Sequence, residues 1–159
     1  MRCQSGVLVL KMGSPFTGVN WTNESPRMNY EVALDAMRLM GSDFFCGLTV
    51  PVGTNCCSLI VGGWGGSLVG ISSVDGMDAS ENETGNWVNL EDKRWYTIKL
   101  KVTPEKIEAW LDDRKFVNLE VEGKRLGMRA GDIEQCMPLG LATWQTKGEL
   151  RNIVLKKLK

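Results

Sequence analysis

Polar and apolar residues alternate with period two along most of this chain. Tyr30, Val32, Leu34 and Ala36 are separated by Glu31, Ala33, Asp35 and Met37. Tyr96, Ile98, Leu100 and Val102 are interleaved with Thr97, Lys99 and Lys101 and preceded by Trp95. Ile107, Ala109 and Leu111 alternate with Glu108, Trp110 and Asp112. Successive side chains of a strand point to opposite faces, so this pattern describes strands with one buried face. Two largely apolar runs, Phe44 to Val50 and Cys57 to Val61, read instead as central strands covered on both sides.

Turn signals punctuate these runs. Gly41-Ser-Asp, Pro51-Val-Gly-Thr-Asn, Gly62-Gly63, Asp75-Gly76, Asp112-Asp113 and Gly148 each break a strand. The clearest hairpin runs out along Ile107 to Leu111, turns at Asp112-Asp-Arg-Lys, and returns along Phe116 to Val121. Gly123 to Ile133 reads as a short helix or an irregular crossing. A last strand, Glu149 to Leu158, carries Leu150, Ile153, Leu155 and Leu158. Long amphipathic helical patterns are absent from the sequence. The expectation is an all-β fold, a two-sheet antiparallel β-sandwich. It spans residues 1–159 as a single domain, belonging to a longer protein.

Composition excludes several function classes. The chain has 19 basic and 19 acidic side chains, a net charge of zero. A nucleic-acid partner needs a basic excess to displace counterions, so none is expected. A polybasic membrane patch is equally unsupported, and no apolar run approaches the roughly 18 residues of a spanning helix. There is no histidine. Ser-His-Asp and Cys-His nucleophile units are therefore excluded, as is histidine-ligated zinc. The five cysteines form no C-x-x-C pair and read as small buried thiols. Cys46, on the strand before Cys56 and Cys57, is placed as a cross-strand neighbour of one of them. Three glycosylation-type triplets, at Asn20, Asn23 and Asn82, read as coincidental in a chain rich in Asn and Thr.

Candidate ligand chemistry concentrates between Ile60 and Trp87. Trp64 stands among Gly62, Gly63, Gly65 and Gly66. It is either an exposed stacking plate or a plug at the end of the sandwich. The loop that follows carries Asp75, Asp78, Glu81 and Glu83, with Asn82 among them. Closely spaced carboxylates plus an amide could hold calcium, which wants six to eight oxygens. The same oxygens could bond sugar hydroxyls directly, or form a solvated loop. Trp87 follows and joins the same candidate site. Farther on, Gly140, Ala142 and Trp144 share one strand face, opposite Leu139, Leu141 and Thr143. Two small residues beside an indole suit a groove floor, or a face covered by a loop. Trp21, Trp95 and Trp110 read as structural.

These segments carry a resemblance. Asn29-Tyr-Glu-Val-Ala-Leu-Asp-Ala-Met-Arg38, Gly-Gly-Trp-Gly-Gly at 62–66, Asp75 to Thr84, Arg94-Trp-Tyr, Ile107-Glu-Ala-Trp-Leu-Asp-Asp113 and Leu139-Gly-Leu-Ala-Thr-Trp-Gln stand together here. Together they resemble the concanavalin A-like, laminin G-like jelly rolls of the DUF1080, or 3-keto-disaccharide hydrolase-like, group of planctomycete type. The resemblance runs from about Gly6 to Leu158. It implies a jelly roll whose concave face or loop rim meets carbohydrate. It also implies a bacterial, extracytoplasmic setting, and carries over no catalytic residue.

The residues themselves argue against a ready-made glycosidase pair. Glu31 and Asp35 share a face but stand roughly 13 Å apart at strand rise. Paired carboxyls work at about 5–5.5 Å or about 6.5–9.5 Å. Glu120 and Glu122 are better spaced, at roughly 7 Å, but close a lysine-rich hairpin. The expected function is a non-catalytic carbohydrate-binding module. In it Trp64, Trp144 and Trp87 stack, while Asp75, Asp78, Glu81, Asn82 and Glu83 make polar contacts or, through the four carboxylates, hold calcium. Two alternatives stand beside it. One is a glycoside or 3-keto-glycoside hydrolase using carboxylates of the same region. The other is a structural or interaction domain that self-associates or serves attached domains.

Overall fold

The computed structural model describes residues 2–159. Its strands, in chain order, are β1 (Arg2–Gln4), β2 (Val7–Leu10), β3 (Phe16–Asn20), β4 (Tyr30–Gly41), β5 (Cys46–Val52), β6 (Asn55–Gly63), β7 (Leu68–Ser72), β8 (Asn86–Trp87), β9 (Tyr96–Val102), β10 (Lys106–Leu111), β11 (Arg114–Glu120), β12 (Gly140–Trp144) and β13 (Thr146–Lys157). One antiparallel sheet has the order β1-β2-β13-β4-β9-β10-β11, and the other β3-β12-β5-β6-β7-β8. The two sheets face each other across one apolar core, as the period-two pattern requires.

Residues that alternate in sequence alternate in burial. Along β4, Tyr30, Val32, Leu34 and Ala36 are buried while the residues between are half-exposed. β9 repeats the pattern with Tyr96, Ile98, Leu100 and Val102. The two apolar runs are covered on both faces, with β5 buried throughout and β6 from Cys56 onward. The hairpin β10–β11 closes through Asp112-Asp113, with a bulge between Ala109 and Trp110. Between β11 and β12 the chain crosses irregularly, as expected. Its one helical turn, the 3-10 segment Asp132–Cys136, begins only at the end of the anticipated range.

The outward face of the seven-stranded sheet is polar. Trp110 lies beneath the ammonium groups of Lys99 and Lys115, at 5.6 and 5.2 Å, and Trp95 beneath the Arg151 guanidinium at 3.8 Å. Glu108 pairs with Lys115 at 2.5 Å and Asp35 with Arg151 at 3.3 Å. Burial works to raise the Asp35 carboxyl's pKa, yet hydrogen bonds from Asn152, Thr97 and Arg151 bring it below the usual value. Glu31 and Asp35 are thus a salt-bridged part of this outer surface.

The cysteine reading holds for four thiols and fails in one detail. Cys46, Cys56, Cys57 and Cys136 are buried, Cys3 is exposed, and all five are free. Cys46, however, stands opposite Val61, while Cys56 and Cys57 oppose Pro51 and Val50. The apolar runs fixed which residues were strands but not their register, and the register separates the thiols. Burial pushes Cys46 and Cys57 up to about 12 and Cys136 to about 11. Those thiols stay protonated at pH 8. A disulfide-exchange reagent at that pH should therefore titrate the exposed Cys3 quickly, and Cys46, Cys57 and Cys136 only as the chain unfolds.

Candidate functional site

The outward face of the six-stranded sheet is not flat. On β6, Leu59 and Val61 point into the core while Ser58 and Ile60 point away from it. On β12, Leu141 points inward and Ala142 and Trp144 outward. Register aligns Ala142 with Gly47 of β5, Gly47 with Ile60, and Ile60 with Gly70 of β7. Ala142, Gly47 and Gly70 keep this row low on either side of Ile60. A Cβ on Gly47 would fall 2.9 Å from the Phe44 ring, so the ring rests directly on backbone there. Above this floor Phe44, Ile60, Cys136 and Ala142 form a second apolar cluster, joined by Phe16, Trp64, Ile133 and Trp144.

The turn that carries Trp64 is held by polar contacts, while the indole ring packs on the second cluster. Trp64 sits in the turn from β6 to β7 with a left-handed φ of 48°. The amides of Gly66 and Ser67 both donate to the Gly63 carbonyl at 3.2 Å. Gly65 N–H donates to Asp43 Oδ2 at 3.3 Å, and Asp43 Oδ1 accepts from the Phe44 amide at 2.8 Å. Behind the turn lies Arg38, 6% exposed. Its guanidinium donates to the carbonyls of Gly66 (3.1 Å), Leu90 (3.0 Å) and Asp43 (3.3 Å), and to Asp92 Oδ1 at 2.6 Å. Gly66, at φ 114°, takes a conformation that side-chain-bearing residues rarely adopt.

A cavity of about 300 Å³ opens over this floor. Trp64, Trp144, Phe44 and Ile60 give it apolar walls, and Asp43, Ser58, Ser72, Arg129 and Asp132 are its polar lining. The Arg129 guanidinium stands 5.3 Å from the centre of the Trp64 ring. Trp144 tilts 33° to Phe44 with ring centres 6.5 Å apart. Both indoles are half-buried, each with an apolar side packed and an edge on the cavity. Trp64 thus packs on the second cluster and also borders the cavity. Trp144 likewise lies on a floor that residues 129–133 partly cover.

The structure divides the residues that sequence grouped together. The cavity lining includes Trp64 and Trp144 but none of Asp75, Asp78, Glu81, Asn82, Glu83 or Trp87. Trp87, 67% exposed, lies on the edge strand β8 opposite Leu68. The acidic loop turns its oxygens to its own backbone and to residues 124–125. Asp75 Oδ1 accepts from the Arg125 amide at 2.7 Å. Asp78 Oδ1 accepts from Ser80 N–H and Oγ–H at 3.0 and 2.5 Å. Glu83 pairs with Lys124 at 2.8 Å. The Asn82 amide donates to the carbonyls of Ile71, Met77 and Asp78, and its oxygen accepts from both donors of Thr84. Asn82 is thus the internal staple of the loop, which suits neither glycan attachment nor ligand contact. Among the described residues no group of three or more acidic, cysteine or histidine side chains is placed to hold a metal ion. The oxygens do not fit the calcium shell expected from their spacing.

Sequence reading missed Asp43, Arg129 and Asp132. Asp43 sat in a turn signal, where a carboxylate is ordinary. Arg129 lies far along the chain from Trp64, and no local spacing links the two. Ser58 and Ser72 carried a weak signal, as hydroxyls interrupting apolar strands.

No family model matches the chain, and neither does any curated protein. The fold does have solved counterparts. Carbohydrate-binding module CBM66 from Bacillus subtilis superposes with a TM-score of 0.58 at 12% identity, covering 90% of this chain and 83% of that one. A candidate glycosyl hydrolase from Parabacteroides distasonis gives 0.52 at 13% identity over 98% and 89%. The apo Crh5 transglycosylase gives 0.52 at 9% identity over 99% and 80%. At these identities the likeness is one of fold, and it supports the two-sheet β-sandwich jelly roll. The narrower DUF1080 resemblance rests on the sequence segments alone.

The loop geometry yields a direct expectation about metal. A bound ion stabilises the native state by mass action. Because Asp75, Asp78 and Glu83 already have partners, and no three acidic side chains are grouped to hold an ion among the described residues, the melting temperature should not move between millimolar calcium and EDTA. A calcium-dependent rise would mean that the loop rearranges around an ion.

Proposed function

We propose that this chain is a non-catalytic carbohydrate-binding module whose ligand enters the cavity between Trp64 and Trp144. The observation that carries the reading is the pairing itself. Two indoles, 80 positions apart in sequence, meet on one cavity, beside Phe44 and Ile60 on the outward face of the six-stranded sheet. An indole offers an apolar plate to the C–H face of a sugar ring while its N–H remains available to hydroxyls. Arg129 supplies donors at the rim and Asp132 an acceptor, the mixture that a neutral polyol needs. A cavity of about 300 Å³ is at the small end of ligand sites. Sugar hydroxyls exchange water for similar partners, so the net gain comes mainly at the aromatic walls and binding is weak to moderate. The solved sandwiches that share the fold, one of them a carbohydrate-binding module, support the same reading.

Two features favour binding over hydrolysis. Asp43 and Asp132 are the carboxylates of the lining, and both Asp43 oxygens already accept backbone N–H groups. That leaves Asp132 without a second free carboxyl to complete an acid–base pair.

On a glycan array or in affinity electrophoresis, Trp64→Ala and Trp144→Ala should each weaken retention about tenfold, the scale of one lost aromatic plate. Trp95→Ala, on the opposite sheet, should leave it unchanged. Full retention by folded Trp64→Ala and Trp144→Ala variants would remove the cavity from consideration as the sugar site.

A further inference from the structure

The acidic loop lies beside the cavity without lining it, and besides its bonds to β7 it reaches the start of the crossing segment. Asp75 N–H donates to the Arg125 carbonyl and Asp75 Oδ1 accepts from the Arg125 amide, both at 2.7 Å. Ser73 and Gly127 exchange backbone hydrogen bonds at 2.7 and 3.2 Å. Val74 bridges to Leu126, whose side chain is buried. Glu83 reaches Lys124 at 2.8 Å. Two residues beyond Gly127 stands Arg129, over Trp64. From there the chain is exposed through Asp132 until Cys136 buries itself on the outward sheet face. The cavity's outer wall is therefore a strap fixed at both ends, and the acidic loop holds one of them.

We propose that Asp75 and Glu83 are positioning residues for the cavity. They fix residues 124–127 and thereby set where Arg129 and Ile133 stand above Trp64. The backbone is shaped for this. Val74 and Met77 exchange amide hydrogen bonds at 2.9 Å, closing a tight turn that places Asp75 at φ 52°. In that conformation its carboxylate meets the Arg125 amide. Gly76 leaves room for the Arg125 guanidinium, which would lie 3.2 Å from a Cβ there. The Glu83–Lys124 pair is partly exposed, 58% and 32%, so it adds a modest, salt-sensitive increment to the backbone attachments. The carboxylates thus act on ligand through the wall and not by touching it. This use depends on the sugar-site reading, but the wall's position can be measured without any sugar.

The test reads the wall in the intact chain with two probes. Acrylamide quenching of the Trp64 component, obtained by difference from Trp64→Phe, reports cover over the indole. Amide hydrogen exchange of residues 127–133 reports the strap. Asp75→Gly removes the acceptor while tolerating the positive φ, and Asp75→Asn keeps an acceptor oxygen. Glu83→Gln breaks the ion pair, and Glu81→Gln removes the same charge from an exposed loop position whose amide bonds within the loop, to the Asp78 carbonyl. Asp75→Gly and Glu83→Gln should raise quenching and speed exchange, each by up to about fivefold, the upper range of one such contact. Asp75→Asn and Glu81→Gln should match the parent. Glu83→Gln involves only partly exposed groups, so it keeps the question open to measurement if Asp75→Gly unfolds. Equal quenching and exchange in Glu83→Gln, Asp75→Gly and Glu81→Gln would overturn the positioning role. A parent chain that binds no glycan would defeat the sugar reading while leaving these wall measurements to decide the proposal.

Discussion

The Arg38 guanidinium ties together the parts that make the site. It projects from β4 of the seven-stranded sheet and reaches backbone carbonyls in three separate connections: Asp43 before β5, Gly66 in the Trp64 turn, and Leu90 before β9. It also lies 5.3 Å from the Phe45 ring. Those carbonyls have little access to water, and each would cost about 1–3 kcal/mol if left unpartnered. The ion pair to Asp92 counts for less, because that carboxylate is half-exposed. One buried cation therefore anchors the Trp64 turn from behind while the Asp43 carboxylate anchors it from the side. The strained φ at Trp64 persists because both neighbours specify it.

Function in this arrangement follows from what the sheet face leaves out. A sandwich normally keeps its outward faces polar or covered. Here the outward face of the six-stranded sheet is apolar at Phe44, Ile60 and Ala142 with Ser58 and Ser72 beside them, and its surroundings cover it unevenly. Cys136 covers the β3–β12 side, Phe44 fills the space over Gly47, and Ala79 of the acidic loop sits over Gly70. What remains uncovered lies between two indoles. The opposite outer face also carries two indoles, Trp95 and Trp110, but cations lie against both rings.

Much of the fold was legible in the sequence because period two maps directly onto the two faces of a strand. The same rule places Ala142 and Trp144 on one face and Leu141 on the other, as the strand has them. The rule is silent about register, which is why Cys46 came to rest opposite Val61 instead of beside Cys56 or Cys57. It is also silent about which partner a loop oxygen will find. Asp75, Asp78 and Glu83 looked like a ligand set because they are close in sequence, yet backbone amides, Ser80 and Lys124 had the prior claim on them. Arg129 could not be tied to Trp64 from sequence, since their meeting depends on a crossing that joins the end of β11 to the far side of the sheet. Local chemistry was readable, and the long-range assembly that decides its use was not.

The central claim, that Trp64 and Trp144 are the two walls of one sugar site, can be read most directly from the six indole N–H resonances in a titration with soluble oligosaccharides. The account predicts that Trp64 and Trp144 shift together along one binding curve while Trp95 and Trp110 stay still. A saturable shift confined to Trp95, Trp110 or Trp87, or one that moves Trp64 without Trp144, would contradict it.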